Sequence, residues 1–223
     1  MATLVMVVGS SGTGKTTSAR TLDPKKTFFI NCDQKDLPFK GWISSYSKEK
    51  GNYASTSNTE EIKDVLRDIV KNKKGTETIV IDTLNRIMTD KVMKERGITG
   101  FQKWTDLSGC IYDLISIVNK QLPEYLTVFA LFHEEAYYSD DGIKIRRIAT
   151  EGKQLSRMSI ESMGSIVLFT TVKHSGKGEP NKYNLQTQTD GQSTAKSPMG
   201  MFDNFEIPND FQEVLEKIEQ FKK

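Results

Sequence analysis

Short apolar runs that end in a glycine or a polar residue recur along the chain. They occupy residues 3–8, 27–32, 78–82, 126–132 and 165–171. Each run has the length of a strand, and its apolar residues follow one another without a polar residue at every second position. This pattern is typical of strands that are buried on both faces of a parallel sheet. The sequence therefore predicts five central strands.

Apolar residues at helical spacing lie between and after these runs. One set predicts a helix over residues 59–71, whose first turn Asn58 or Thr59 can cap. Two further sets predict a second amphipathic helix at 107–118 and a C-terminal helix at 211–221. A helix-compatible segment also follows the first strand, at residues 16–22.

The remaining segments predict a loop and a hairpin. Residues 34–58 are polar and contain many serines, so we expect little regular structure there. Residues 183–189 alternate and precede an Asp190-Gly191 turn, which predicts a hairpin beyond the main sheet. Strands that alternate with helices predict an α/β fold. We expect one domain, residues 1–223, with a mostly parallel sheet sandwiched by helices and followed by a C-terminal hairpin and helix.

Composition excludes several classes of protein. The longest apolar runs fall short of the roughly 18 residues of a membrane span, so we expect no contact with a membrane. A strand begins almost at the first residue, so we expect no signal peptide and a cytoplasmic protein. Cys32 and Cys110 lie in apolar surroundings, and we expect small buried thiols in a reducing compartment. The net charge of +2 is too small to indicate a polyanionic partner without local basic patches.

A glycine-rich motif directly follows the first strand. It reads Gly9-Ser10-Ser11-Gly12-Thr13-Gly14-Lys15-Thr16, with Thr17 next, and matches G-x-x-x-x-G-K-[ST]. Its glycines let backbone N–H groups point at phosphates, and a following helix adds positive partial charge. Lys15 would reach the β- and γ-phosphates, and the Thr16 hydroxyl would ligate Mg²⁺. The motif therefore predicts a site for ATP and Mg²⁺.

Carboxylates and a histidine follow the other predicted strands. Asp82 ends the third strand, where it can hold Mg²⁺ opposite Thr16. Hydrolysis needs a carboxylate to orient water and a polar sensor near the γ-phosphate. Asp33 after the second strand is our candidate for the carboxylate, with Glu134 as the alternative. His133 is the candidate sensor.

The order of these motifs resembles that of phage-encoded ATP-binding proteins of the AAA/RecA-like class, the short recombinases of the Sak type that are grouped with single-strand annealing proteins. The resemblance spans nearly the whole chain. Besides the glycine-rich motif, it rests on Phe29-Ile30-Asn31-Cys32-Asp33, Ile79-Val80-Ile81-Asp82-Thr83, Phe129-Ala130-Leu131-Phe132-His133-Glu134, Leu37-Pro38-Phe39-Lys40-Gly41 and Thr194-Ala195-Lys196-Ser197-Pro198-Met199-Gly200-Met201-Phe202.

This resemblance implies a RecA-like core that hydrolyses ATP and binds single-stranded DNA as a homo-oligomer, either a ring or a filament. A phage single-strand binding protein is an implied partner, and the cytoplasm of a bacterial host is the implied location. Asp33 takes the position of the catalytic glutamate of RecA-type cores, one methylene shorter, and His133 that of a glutamine. Lys196 resembles a lysine that such filaments insert into the site of the neighbouring subunit.

Two stretches correspond in order to the DNA loops of RecA-like cores. Residues 86–104 carry an excess of positive charge, together with aromatic side chains that could stack on bases. Residues 135–153 combine two tyrosines with several cations, around an acidic turn at Asp141-Gly142 that also suits a β-hairpin. The candidate DNA contacts are Phe101, Lys103, Trp104, Tyr137, Tyr138, Lys144, Arg146 and Arg147.

Two other functions stay open. The glycine-rich motif also suits a small P-loop kinase, in which Arg146, Arg147 and Arg157 would clamp phosphates. An ATP-dependent loader or scaffold in phage DNA replication is the other alternative. ATP turnover with and without single-stranded DNA, alongside a search for phosphorylated small products, distinguishes these functions from a recombination ATPase.

Overall fold

The computed structural model describes residues 1–100, 102–176 and 178–223. Its strands are β1 Thr3–Gly9, β2 Thr27–Asn31, β3 Tyr53–Ser55, β4 Thr78–Asp82, β5 Thr127–Tyr138, β6 Lys144–Ile148, β7 Ile166–Lys173, β8 Lys182–Gln186 and β9 Glu206–Pro208. Its α-helices are α1 Trp42–Ser45, α2 Thr59–Asn72, α3 Leu84–Lys94, α4 Gln102–Gln121, α5 Lys153–Met158 and α6 Phe211–Phe221. Two 3₁₀ helices span Thr16–Thr21 and Ile160–Met163.

The strands of the described chain form one sheet in the order β3-β2-β4-β5-β1-β7-β8-β9. The first six of these run parallel, and β8 pairs antiparallel with both β7 and β9. The remaining strand, β6, pairs antiparallel with residues 134–138 at the C-terminal end of β5. The order places β5 between β1 and β4, so the carboxyl ends of these three strands meet at one edge of the sheet.

Both faces of the sheet are covered. In β1, Leu4, Met6 and Val8 pack into one apolar core with residues of α2, α3 and α4. The intervening Val5 and Val7 pack into a second core with Phe211 and other residues of α6. Because successive side chains of a strand point to opposite faces, an uninterrupted apolar run serves both cores. The predicted parallel sheet between helices is confirmed. Among the helices that the structure describes, none is long and apolar enough to cross a bilayer.

One expectation about irregular segments is wrong and another needs an addition. Residues 34–58 have little regular structure, as expected, but they contain α1 and β3, and β3 extends the sheet at its edge by pairing with β2. A three-residue strand is too short to show alternation in the sequence. The stretch 86–104 is mostly helical, since it falls in α3 and the start of α4. The signal in the sequence was the spacing of Leu84, Ile87 and Met88, which are buried on one face of α3.

The C-terminal hairpin forms, but not where the alternation placed it. Strands β8 and β9 are antiparallel partners joined by residues 187–205, so Asp190-Gly191 is a turn within a long connection. β8 also pairs with β7, and the hairpin therefore continues the main sheet rather than lying beyond it. The alternative interpretation of 135–153 as a hairpin is confirmed, because β5 and β6 pair across the turn that contains Asp141-Gly142.

Candidate functional site

The glycine-rich loop leaves the sheet at the end of β1, and two of its glycines are sterically required. A Cβ on Gly9 would lie 1.7 Å from the Thr170 hydroxyl oxygen of β7. A Cβ on Gly14 would lie 2.3 Å from the Asn209 side-chain nitrogen, and the positive φ of 92° also favours glycine. The loop therefore packs tightly between β7 and the segment that follows β9. The helix after it is a 3₁₀ helix of six residues, Thr16–Thr21.

Lys15 lies folded back over its own loop. Its Nζ donates to the carbonyl oxygens of Gly9, at 2.7 Å, and of Ser10, at 2.8 Å. The side chain is buried, and burial lowers the lysine pKa to about 8, although Asp82 and Glu134 act in the opposite direction. A phosphate would have to draw Nζ away from these two carbonyls. The ammonium is thus held at the loop by weaker acceptors than an anion.

Thr16 and Asp82 meet as the motif predicts. The Thr16 hydroxyl donates to Asp82 Oδ2 at 2.7 Å. Asp82 Oδ1 is buried and has no hydrogen-bond partner among the described residues. Burial raises the pKa of Asp82 to about 6. A buried carboxylate oxygen without a donor, next to a hydroxyl, is a donor set that suits Mg²⁺, so these two residues fit the metal that the motif implies.

Asp33 is held beside Asp82 by two donors. Thr83 donates its hydroxyl to Asp33 Oδ1 at 2.9 Å, and the Lys35 ammonium lies 2.5 Å from Oδ2. Burial opposes ionisation of Asp33, but the bonds from Lys35 and Thr83 outweigh it and lower its pKa. His133 ends the segment of β5 that pairs with β1, and burial followed by the charge of Lys15 lowers its pKa, which favours a neutral imidazole.

These residues line one cleft of about 710 Å³ at the carboxyl edge of the sheet. The cleft brings together Gly12, Gly14, Lys15, Thr16 and Thr17 of the loop with Asp33, Asp82 and His133. It also contains Asp36, which the sequence places close to Asp33 after the second strand, and residues that sequence reasoning did not place in the site, namely Arg20, Lys35, Pro38, Tyr183, Pro208 and Asn209. Tyr183, Pro208 and Asn209 reach the cleft only through the pairing of β8 and β9 at the edge of the sheet, so nothing in their local sequence marks them. Arg20 belongs to the 3₁₀ helix after the loop, and Lys35 and Pro38 follow β2.

The segment that follows β9 is bonded to the loop and its 3₁₀ helix. Asn209 is buried, donates to the Gly14 carbonyl at 3.0 Å and accepts from the Ser18 hydroxyl. Arg20 donates to the Asn209 carbonyl at 2.8 Å, and Thr21 donates to Asp210 at 2.6 Å. Asp210 in turn caps α6 by accepting from a backbone N–H. The C-terminal helix is thereby connected to the phosphate loop.

Glu134 lies at the base of the β5–β6 hairpin rather than among the residues that line the cleft. Its Oε1 accepts from the Ser10 hydroxyl at 2.5 Å. Its Oε2 accepts from Arg146 Nε at 2.8 Å. Both carboxylate oxygens are therefore bonded in this structure. Ser11 borders the cleft at its exposed side.

The candidate DNA contacts before β5 lie on helices. Trp104 of α4 is half-buried, packs against the core and lies under Gly152, whose added Cβ would approach the ring to 2.5 Å. The Lys103 ammonium lies 5.3 Å from the Trp104 ring centroid. In α3, Arg86 pairs with Asp90 and Lys91 with Glu95, four residues apart. Phe101 lies outside the described residues.

The candidate DNA contacts within residues 137–147 lie on two faces of the β5–β6 hairpin. Tyr138 is 71% exposed and stands opposite Lys144, which is exposed too. Tyr137 is 38% exposed and has the Arg147 guanidinium 4.5 Å from its ring centroid. Arg147 also pairs with Glu135 at 2.8 Å. The exposed tip therefore offers one tyrosine and one lysine on one face, and a cation stacked on a tyrosine on the other.

Lys196 lies away from the cleft of its own chain. Its backbone N–H and carbonyl both bond Val167 of β7, at 2.9 and 2.8 Å. Val167 is level with Met6 in β1, three residues before Gly9. At about 3.3 Å per residue, the backbone of Lys196 lies roughly 10 Å from the edge that carries the loop.

Comparison with known proteins gives a family and a fold. A family model described as AAA domain matches residues 1–199. Among solved structures, the chain resembles a KaiC-like protein from the hyperthermophilic archaeon Pyrococcus horikoshii OT3, with a TM-score of 0.50, 15% identity, and coverage of 82% of this chain and 76% of that one. At this identity the likeness concerns the fold alone, and the predicted RecA-like α/β class is confirmed. No curated protein sequence matches the chain.

Proposed function

The chain belongs to the AAA domain family, and from that premise we propose that it binds Mg-ATP in the cleft and hydrolyses it. The arrangement around Asp82 carries this proposal. A phosphate loop, a buried lysine and a threonine bonded to a buried carboxylate converge, and one oxygen of that carboxylate lacks a donor among the described residues. When bound, Mg²⁺ would neutralise charge on the phosphates.

Six residues of the cleft have proposed roles in this reaction. Lys15 moves from the Gly9 and Ser10 carbonyls to the phosphates, and Thr16 and Asp82 hold the metal. Asp33 orients the attacking water, because it lines the cleft with Asp82 and Glu134 does not. A neutral His133 serves as the polar sensor. Tyr183, at the cleft mouth beside Pro208, offers a flat surface for the base.

Turnover measurements on four variants test the assignment. Lys15→Ala should remove nearly all phosphate release, and Thr16→Ala should weaken its dependence on Mg²⁺. Asp82→Asn should lower turnover by at least roughly 100-fold while ATP still binds, since an amide is a poor Mg²⁺ ligand. Asp33→Asn should lower kcat more than it raises KM.

Glu134→Gln is the matched comparison for Asp33→Asn, because both replace a carboxylate by an amide. A severe Glu134→Gln with a mild Asp33→Asn would transfer the water-orienting role to Glu134. Unchanged turnover in Lys15→Ala would contradict the phosphate site. A phosphorylated small product in place of free phosphate would indicate the kinase.

We further propose that the protein is a recombination ATPase that binds single-stranded DNA at the tip of the β5–β6 hairpin. Tyr138 and Lys144 support this proposal, because an exposed ring can stack on a base and the adjacent ammonium can bond a phosphate. The hairpin leaves the sheet beside the phosphate loop, so ATP and DNA would lie at the same edge. This recombination role includes assembly as a ring or filament, in line with the position of Lys196. A phage single-strand binding protein would be a partner.

Salt dependence separates the two kinds of DNA contact. Tyr138→Ala should weaken binding of a single-stranded oligonucleotide with little change in the salt slope, because stacking releases no counterions. Lys144→Ala should reduce the slope by about 0.7 log unit per log unit of salt, the value for one phosphate contact. The DNA proposal is wrong if the parent with Mg-ATP does not bind at low salt, and the loader would then be favoured over a recombinase.

A further inference from the structure

The base of the β5–β6 hairpin is built into the phosphate loop by one arginine. Arg146 of β6 is 27% exposed, and its guanidinium lies 5.1 Å from the Phe169 ring centroid. Its Nε donates to Glu134 Oε2 at 2.8 Å, and Nη2 donates to the Thr170 carbonyl at 3.0 Å. Glu134 belongs to β5 and Thr170 to β7, the two strands that flank β1. Arg146 therefore bridges these strands where β1 gives way to the loop.

Both ends of this bridge continue into the phosphate loop. Glu134 accepts from the Ser10 hydroxyl, at 2.5 Å. The hydroxyls of Thr170 and Thr13 lie 2.6 Å apart. Each hydroxyl also has a backbone carbonyl within reach, that of Ser10 at 2.7 Å from Thr13 Oγ1 and that of Val8 at 3.3 Å from Thr170 Oγ1, and the two hydroxyls share one hydrogen bond. The bonds form a closed ring that runs through Ser10, Glu134, Arg146, Thr170 and Thr13.

Nucleotide binding would act on this ring at Ser10. The Ser10 carbonyl accepts both from Thr13 and from Lys15 Nζ. A phosphate that draws Lys15 away removes one of these two donors, while the Ser10 hydroxyl still holds Glu134. The charged members make the ring stiff, since hydrogen bonds to ionised groups are stronger than neutral ones.

We propose that Arg146 is a positioning residue that holds the phosphate loop in its binding shape through this ring and couples the loop to the β5–β6 hairpin. The proposal rests on the proposed nucleotide binding and does not need DNA. The neighbouring ion pair does not share the role. Arg147 bonds Glu135 and lies over Tyr137, on the opposite face of the hairpin. The two pairs have the same chemistry, and only that of Arg146 reaches the loop.

ATP affinity in the absence of DNA gives the first test, with Glu135→Ala as the matched control that breaks the other ion pair. Arg146→Ala should weaken binding of Mg-ATP roughly tenfold, which corresponds to the loss of about one charge-assisted bond. The affinity of Arg146→Lys should lie between those of the parent and Arg146→Ala, because an ammonium cannot form both bonds in the fork geometry of arginine. Glu135→Ala should bind like the parent.

Hydrogen–deuterium exchange of the hairpin tests the coupling itself. A merely structural role of Arg146 does not predict that its loss removes the response of the hairpin to nucleotide. A non-hydrolysable ATP analogue with Mg²⁺ should change the exchange of amides in residues 134–148 in the parent and in Glu135→Ala. The change should be lost in Arg146→Ala. If Arg146→Ala fails to fold, Thr170→Val breaks the ring on its other side and should abolish the response, while Thr170→Ser keeps the hydroxyl and the response.

The outcomes are distinct. A parent that does not bind ATP overturns the proposed function, and the role of Arg146 with it. A parent that binds ATP, with Arg146→Ala or Thr170→Val retaining full affinity and a full exchange response, overturns the positioning role alone. An equal loss of affinity in Glu135→Ala also overturns it, because any damage to the hairpin would then suffice.

Discussion

Lys15 and Asp82 bring opposite charges into a buried part of the cleft. Burial shifts the pKa of each in the direction that favours the neutral form. The Lys15 pKa falls to about 8, and the Asp82 pKa rises to about 6. Below pH 6 the carboxylate takes up a proton and loses its ability to ligate Mg²⁺. Above pH 8 the lysine loses the charge that attracts phosphate. Both groups carry the required charge only between these two values.

The affinity for Mg-ATP should therefore peak between about pH 6 and about pH 8. Titration calorimetry from about pH 5 to about pH 9.5 measures both limbs. Lys15→Arg should lose the alkaline limb, because a guanidinium stays charged. Asp82→Asn should flatten the acid limb of the affinity profile relative to the parent. The protonation of the nucleotide itself affects both proteins equally and serves as an internal reference. Parallel profiles in parent and variants would contradict the assignment.

At the scale of elements, the β9–α6 segment acts as a brace on the phosphate loop. Asn209 bonds Gly14 and Ser18, and Asp210 bonds Thr21 while capping α6. The 3₁₀ helix after the loop is short, so its position depends on these contacts more than on its own hydrogen bonds. A change in the C-terminal segment should thus be felt at the nucleotide.

Asn209→Ala should lower both ATP affinity and stability. Loss of the amide removes its bonds to the Ser18 hydroxyl and the Gly14 carbonyl, at about 0.5–1.5 kcal/mol each in the free energy of unfolding. Asp203→Ala is the control, because it breaks the exposed Asp203–Lys217 pair between the segment before β9 and α6. Urea unfolding and ATP titration measure both effects. An Asn209→Ala variant that matches Asp203→Ala in both would refute the bracing role.

At the scale of the whole molecule, the order of the strands sets Lys196 apart from the cleft of its own chain. The order of strands collects Lys15, Asp82, Asp33 and His133 at one edge. Lys196 is fixed to β7 about 10 Å back from that edge. The proposed ring or filament would bring this lysine to the cleft of an adjacent subunit, and mixed assemblies test that proposal.

Mixing two inactive variants tests for action between subunits. Lys196→Ala should slow ATP hydrolysis only under conditions in which the protein assembles. Adding Lys15→Ala subunits, which retain Lys196, should restore part of the turnover of Lys196→Ala subunits if the lysine acts on a neighbour. Sedimentation with Mg-ATP and single-stranded DNA establishes the assembly. Turnover that never exceeds the sum of the separate variants would indicate a structural role for Lys196.

The sequence by itself determined the features that depend on short spacing. The phosphate loop, Asp82 and Asp33 were predictable, because each directly follows an apolar strand and parallel strands present their carboxyl ends at one edge. The two-sided burial of the sheet followed from runs without alternation. The apolar spacing of helix α3 was also sufficient to predict it. The charges on its exposed face indicated a DNA-binding loop instead, but in the structure they form ion pairs four residues apart.

Only the tertiary structure decided which side chains meet across the fold. Asn209 and Tyr183 reach the cleft because β8 and β9 extend the sheet beside the loop. Arg146, expected at DNA, bonds Glu134 and Thr170, whereas Arg147, one residue further, faces the other side. Composition and periodicity specify the face of a strand but not the partner across it. That partner depends on register and sheet order, which are set by packing between residues far apart in the chain.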